Sequence, residues 1–162
     1  MVKVEVPRKR EKRRILVELS SYFAEDLSGE NLIVRDVGAK GKDAIFLDGD
    51  LVGIRDKSPG DMVYPSIKAI LEKGTRDEIS VTVDQGAVPY VCNGADIMVP
   101  GVVAVGADVV KGGFVVIDEE KHGGVLAVGI ALSEGEKIKR AGKGKAVKNL
   151  HWVGDPIWVA GK

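Results

Sequence analysis

The sequence predicts an α+β chain: a small α+β domain over residues 1–76, followed by a mixed β pseudo-barrel with two short helices over residues 77–162. Three observations predict it. Hydrophobic residues make up 44% of the chain and charged residues 30%, enough apolar side chains for a core and more than a disordered chain carries. In the first part, helically spaced apolar residues stand beside short β-like runs. From Glu78 onward the texture changes to closely spaced, Gly- and Val-rich strands, which sets a boundary near Thr75 to Asp77.

The elements of the first domain follow in order. Apolar residues at Ile15, Leu16, Leu19, Tyr22 and Phe23 predict a helix over 11–24. Its first turn carries the basic run Arg8-Lys9-Arg10-Glu11-Lys12-Arg13-Arg14. Cations there oppose the helix dipole, and two readings stay open: contact with nucleic acid, or a solvated helix face. Three β-like runs cover 31–37, 44–47 and 51–55, with Asp48-Gly49 as a hairpin turn between the last two. After Ser58-Pro59-Gly60, the spacing of Tyr64, Ile67, Ile70 and Leu71 predicts a helix with Pro65 in its first turn and an end near Lys73-Gly74.

In the second domain a strand is expected over 79–83, then a helix over 85–92 capped by Asp84 and stopped by Asn93-Gly94. Strands are expected at 97–99, 109–110, 114–118 and 125–132, with turns at Gly112-Gly113 and His122-Gly123-Gly124. Ser133-Glu134-Gly135-Glu136 has the capping-box pattern, so a helix should run over 134–141 and stop at Gly142. A last strand is expected through 149–152 and 157–159.

Composition excludes several function classes. With 24 basic and 24 acidic residues the chain is no histone-like polycation, yet the charge is unevenly spread. Residues 1–20 and 133–162 each hold seven basic and three acidic groups, and the stretch between them is acidic. The single cysteine, Cys92, can make neither an internal disulfide nor a multi-thiolate zinc site, which points to a reducing, cytoplasmic setting. The longest apolar stretch, around 97–110, is interrupted by Pro100, Gly101, Gly106 and Asp108 and is too short to span a membrane; no leader peptide is expected.

No catalytic constellation is legible, so the chain is read as a non-enzyme without cofactor or metal. Gly142-Lys143-Gly144-Lys145 and the stretch from Gly38 to Lys42 lack phosphate-loop spacing. His122 and His151 lie far apart and match no metal-ligand spacing. Asp48 and Asp50 fit turn chemistry, and Asp118-Glu119-Glu120 reads as a solvated turn. Cys92 reads as a small core residue with no histidine near it in sequence.

Longer motifs carry a resemblance. Val83-Asp84-Gln85-Gly86-Ala87 and, after a short helix, Gly94-Ala95-Asp96-Ile97-Met98-Val99-Pro100-Gly101 resemble the opening of a PUA domain, an RNA-binding module. Gly142-Lys143-Gly144-Lys145-Ala146-Val147 and Leu150-His151-Trp152-Val153-Gly154-Asp155-Pro156-Ile157-Trp158 are similar to that family's closing strand. In front, Leu47-Asp48-Gly49-Asp50-Leu51 and Tyr64-Pro65-Ser66-Ile67 resemble the malignant T-cell amplified sequence proteins, which place a pre-PUA domain before the PUA module, as does the related ligatin. The compact length and few aromatics look more like an archaeal stand-alone member than a eukaryotic one.

The resemblance implies RNA lying against the first helix of the PUA module, the glycine loop and the closing strand. In this chain that implies Gly94, Ala95, Asp96, Ile97 and Met98 in the loop. Gly94 would let a sugar–phosphate backbone approach main-chain N–H groups, or serve as a plain helix stop. Between Lys137 and Gly154 stand six cations and no acid; Lys139, Arg140, Lys143, Lys145 and Lys148 are the candidates for phosphate contact, with a solvated basic loop as the competing reading. His151 and Met98 are candidates for base or sugar contact, Met98 equally for the core, and Trp152 and Trp158 are read as structural.

The function so implied is non-catalytic binding of structured RNA, tRNA or small-subunit ribosomal RNA, in initiation, reinitiation or recycling, with the small ribosomal subunit or a translation factor as partner and no membrane. Two competitors are an accessory subunit of an RNA-modifying enzyme and a first domain that mainly binds protein.

Overall fold

The computed structural model describes residues 3–58 and 60–162; Pro59, in the first domain's expected turn, lies outside the described residues. The chain forms two compact units, Met1–Arg76 with Pro156–Lys162, and Asp77–Asp155.

The first unit contains β1 (Val4–Glu5), α1 (Lys9–Ser20), β2 (Leu32–Arg35), β3 (Lys42–Leu47), β4 (Asp50–Asp56), β5 (Met62–Pro65) and α2 (Ile67–Lys73). Its strands make an antiparallel meander in the order β1-β2-β3-β4-β5. The β3–β4 hairpin turns on Asp48 and Gly49, both at positive φ (50° and 88°), the conformation that favours Asx-Gly pairs. α1 buries Ile15 and Leu19 and packs on β5. Each such side chain contributes about 1.5–3 kcal/mol when removed from water.

Between strands, Arg55 of β4 bonds Asp43 of β3 at 2.8 Å and Glu5 of β1 at 2.7 Å. Burial works against its charge, but the hydrogen bonds to Asp43 and Glu5 outweigh it and hold the guanidinium more firmly protonated than usual.

Pro65 does not open the second helix as expected. It ends β5, paired with Gly53, at the sheet edge where a missing N–H is tolerated. The helix begins two residues later, at Ile67, with the hydroxyl of the N-cap Ser66 accepting the Ala69 N–H at 3.1 Å, and it stops at Gly74.

The second unit contains β6 (Ser80–Val83), a 3-10 turn (Gln85–Ala87), α3 (Val88–Val91), β7 (Ile97–Met98), a second 3-10 turn (Val99–Gly101), β8 (Val102–Val105), β9 (Phe114–Glu119), β10 (Val125–Ala131), α4 (Gly135–Arg140) and β11 (Lys145–Trp152). The barrel-like sheet runs β7-β11-β10-β9-β6-β8, antiparallel throughout except for the β6–β9 pair. Val81, Val83, Ile97, Val115, Ile117 and Val147 belong to its core.

Several expectations are corrected here. Val109 and Val110 form no strand; Val109 is buried as a core side chain while its carbonyl accepts the Gly135 N–H at 3.2 Å. The strand lies earlier, at Val102–Val105, paired with β6. The capping box at Ser133 does not form: Glu134 is the N-cap of α4, and its carboxylate accepts the Lys111 N–H instead at 3.2 Å.

Asp118 and Glu119 lie in β9 rather than in a solvated turn. Thr82 Oγ1 donates to Asp118 at 2.6 Å, yet burial outweighs that bond and pushes the carboxyl above its ordinary range. Finally, 157–159 is helical. α5 (Pro156–Ala160) starts on a proline whose ring presets helical φ, and it belongs to the first unit.

Candidate nucleic-acid interface

The site is built where β11 runs between β7 and β10. Register places Lys145 opposite Met98 and Val147 opposite Ile97 on one side, and Asn149 opposite Gly129 on the other. Asp84 caps the 3-10 turn by accepting the Ala87 N–H at 3.0 Å, and α3 then carries Tyr90 outward and Val91 into the core. Pro89 stands in the first turn of α3, where its missing N–H costs nothing.

The loop after α3 is braced from β11. Asn149, buried, donates through Nδ2 to the carbonyls of Val91 (3.1 Å) and Ala95 (3.0 Å), and its backbone N–H reaches Asp96 Oδ1 at 3.0 Å. Lys145 Nζ meets Asp96 Oδ2 at 3.1 Å. Both carboxylate oxygens of Asp96 are therefore engaged by β11, and the residue acts as a brace.

Gly94 resolves the choice left open by its sequence. Its φ is +91°, and a Cβ there would lie 2.8 Å from the Trp152 ring. The N–H groups of Gly94 and Ala95 bond the Val91 and Tyr90 carbonyls, each at 3.0 Å, so they are spent inside the loop rather than offered to phosphate. The helix-stop reading fits, with the Trp152 ring filling the space that a side chain would need.

Beside this loop lies an apolar groove of about 530 Å3, lined by Ala87, Tyr90, Ile97, Met98, Pro100 and Lys145 among others. Tyr90 is 69% exposed and Met98 47%, while Ile97 is buried beneath them. Of the sequence candidates, the structure brings Ala95, Asp96, Ile97, Met98 and Lys145 to the groove. Lys143 and Lys148 are exposed, just before and within β11, without lining it. Lys139 and Arg140 stand on α4 within 3.6 and 3.8 Å of Glu136, which neutralises part of their charge.

His151 does not belong to this surface. It is fully buried, with Nδ1 2.8 Å from Asp155 Oδ2, because its position on β11 points it inward. Cys92 caps the end of α3, and burial pushes its thiol up, away from the reactive thiolate. Sequence reasoning missed Tyr90, Asn149 and the seating of Trp152. An aromatic one position before the buried Val91 on a short helix was the available signal for Tyr90; nothing local marked Asn149.

The barrel-like unit with its braced loop and open apolar groove defines a small binding module. Its family model is the PUA domain, matched over residues 79–153. Beyond that module, the chain is 37% identical over 156 residues to a protein of Methanocaldococcus jannaschii, covering 93% of this chain and 91% of that one. Translation machinery-associated protein 20 of Saccharomyces cerevisiae is 38% identical over 104 residues, 60% of this chain and 57% of the yeast protein. A solved structure of a hypothetical protein from Pyrococcus horikoshii superposes with a TM-score of 0.78 at 30% identity, covering 99% of this chain and 100% of that one.

The chain belongs to the PUA-domain proteins; malignant T-cell-amplified sequence 2 of Homo sapiens is 33% identical to it over 79 residues, 47% of this chain and 44% of the human protein. It carries an RNA-binding module and is related to a translation-associated protein. Among the described residues no helix is long and apolar enough to cross a membrane.

Proposed function

We propose that the chain is a non-catalytic cytoplasmic factor that docks on tRNA or small-subunit ribosomal RNA during translation, through the groove of its second unit. The observation that carries this reading is the apolar groove between exposed Tyr90 and Met98 with Lys145 on its lining, Lys148 exposed further along the same strand and Lys143 exposed just before it. An unstacked base gains from an aromatic and a thioether surface, and the cations take its phosphates. The kinship with translation machinery-associated protein 20 supports the setting. The small ribosomal subunit or a translation factor is the partner this reading implies.

Crosslinking of the full chain in cell extract, followed by RNA sequencing, identifies the target. Recovery of tRNA 3′ ends or small-subunit rRNA is the expected result. On the recovered RNA, Lys143→Glu with Lys145→Glu should lower affinity at least about tenfold and flatten the salt dependence by about two units of slope. Unchanged affinity on every structured RNA tried overturns the reading. Recovery of the chain in a stoichiometric complex with an RNA-modifying enzyme would assign it instead to an accessory subunit.

A further inference from the structure

The amino-terminal helix offers a second surface of different character. Lys9, Arg10 and Arg13 occupy one exposed face of α1 at i, i+3 and i+4 spacing, with Val17 next along it and Arg8 at the N-cap. Among the described residues none of these four cations is paired with a carboxylate. The two acids on the helix are taken by one residue: Arg14 reaches Glu11 at 2.5 Å and Glu18 at 2.6 Å.

That arrangement works against the helix. The four charges sit at the end of α1 where the dipole disfavours cations, and no side chain caps the N-terminus. Lys9 and Arg13 are also like charges one turn apart, which disfavours the helix further. A polyanion across the face relieves all of these costs at once, and the chain's zero net charge shows that the cluster is no part of a general cationic composition.

We propose that this face of α1 binds the phosphate backbone of double-stranded RNA, as a contact surface separate from the groove of the second unit. The chemistry selects phosphate over base. The face holds guanidinium and ammonium groups for phosphate oxygens and a single valine, with no aromatic side chain among the described residues of α1 to stack on an unpaired base.

The test uses the full chain and a fluorescein-labelled, blunt-ended 24-base-pair RNA duplex of arbitrary sequence, which presents phosphates and no unpaired base. Binding is followed by anisotropy from 50 to 200 mM KCl. Lys9→Gln, Arg10→Gln and Arg13→Gln together keep helix-forming side chains while removing the charge. The triple variant should bind the duplex at least about tenfold more weakly at 50 mM salt, with the slope of log affinity against log salt reduced by about two to three. Far-UV circular dichroism confirms that α1 is retained, and single Lys9→Gln and Arg13→Gln variants, each expected to reduce the slope by about one, give the same reading should the triple variant unfold.

Tyr90→Ala with Met98→Ala separates the two proposals, since it should leave duplex affinity unchanged while weakening RNA that carries unpaired bases. No binding of the duplex by the native chain, or equal affinity and slope in the charge variants, overturns the proposal whatever the groove variant does. Loss of binding to vesicles of phosphatidylcholine and phosphatidylserine, with duplex binding intact, would reassign the face to a lipid surface and overturns it as well.

Discussion

The two basic regions of the chain carry the same excess charge and are built in opposite ways. At the amino end, Arg14 absorbs both acids of α1 and leaves Arg8, Lys9, Arg10 and Arg13 unopposed on the surface. At the β11 end, acids answer the cations: Asp96 holds Lys145, and Glu136 sits near Lys139 and Arg140. What distinguishes the second region is shape, an apolar groove beside a loop fixed from β11, which lies between β7 and β10. Charge alone suits long-range, sequence-blind attraction, whereas a shaped apolar recess with fixed walls can discriminate among ligands.

The contrast is broken most severely at Asn149. Asn149→Ala removes both hydrogen bonds to the Val91 and Ala95 carbonyls and should cost about 2–4 kcal/mol in urea unfolding of the full chain. It should also weaken RNA with unpaired bases while leaving duplex binding by α1 intact, so that only one of the two regions responds.

Gly94→Ala comes next, at about 1–3 kcal/mol, because alanine is strained at φ +91° and its Cβ meets the Trp152 ring. The intrinsic fluorescence of the chain, dominated by two tryptophans, should shift as Trp152 moves. An unshifted spectrum with native stability would mean that the loop is not seated on that ring.

Acid provides a gentler probe of the second unit. The Glu119 carboxylate is held below its usual range by the hydrogen bond from the His122 backbone N–H. A depressed carboxylate adds stability that is fully present above the ordinary Glu range of about pH 4.3 and is lost as pH falls through the folded value. Glu119→Gln should therefore lower the unfolding midpoint at neutral pH and flatten its acid limb below about pH 4, where the native carboxylate would already have lost its advantage.

The smallest expected change sharpens the first region. Glu11→Gln with Glu18→Gln frees Arg14 and adds a cation beside Arg10. Duplex affinity should rise about two- to fivefold with the salt slope steeper by about one, and stability should move by no more than about 1 kcal/mol, since both ion pairs are half-exposed and within one helix. The hydrogen bond from Arg14 holds the Glu11 carboxyl low, so in the native chain this neutralisation persists into mild acid.

Much of this was legible in the sequence wherever neighbours along the chain decide the outcome. The apolar spacing of Ile15 and Leu19, the Asp48-Gly49 turn, the Asp84 cap and the Gly94 stop all act within a few residues, and the local geometry they impose is present in the structure. Local signals failed where tertiary pairing competed with them. Pro65 suits a helix start as well as an edge strand, and Ser133 offers a cap that Glu134 takes instead.

The sequence by itself determined the class of the protein, its division in texture and the location of its charge, because composition and short-range motifs survive without a fold. Only the tertiary structure decided which residues make the candidate surface. Lys145, Asn149 and the loop from Val91 to Met98 are about fifty residues apart in the chain, and β11 joins them by lying between β7 and β10. That same strand turns His151 inward and leaves Lys148 outward, a choice set by long-range register and invisible to spacing.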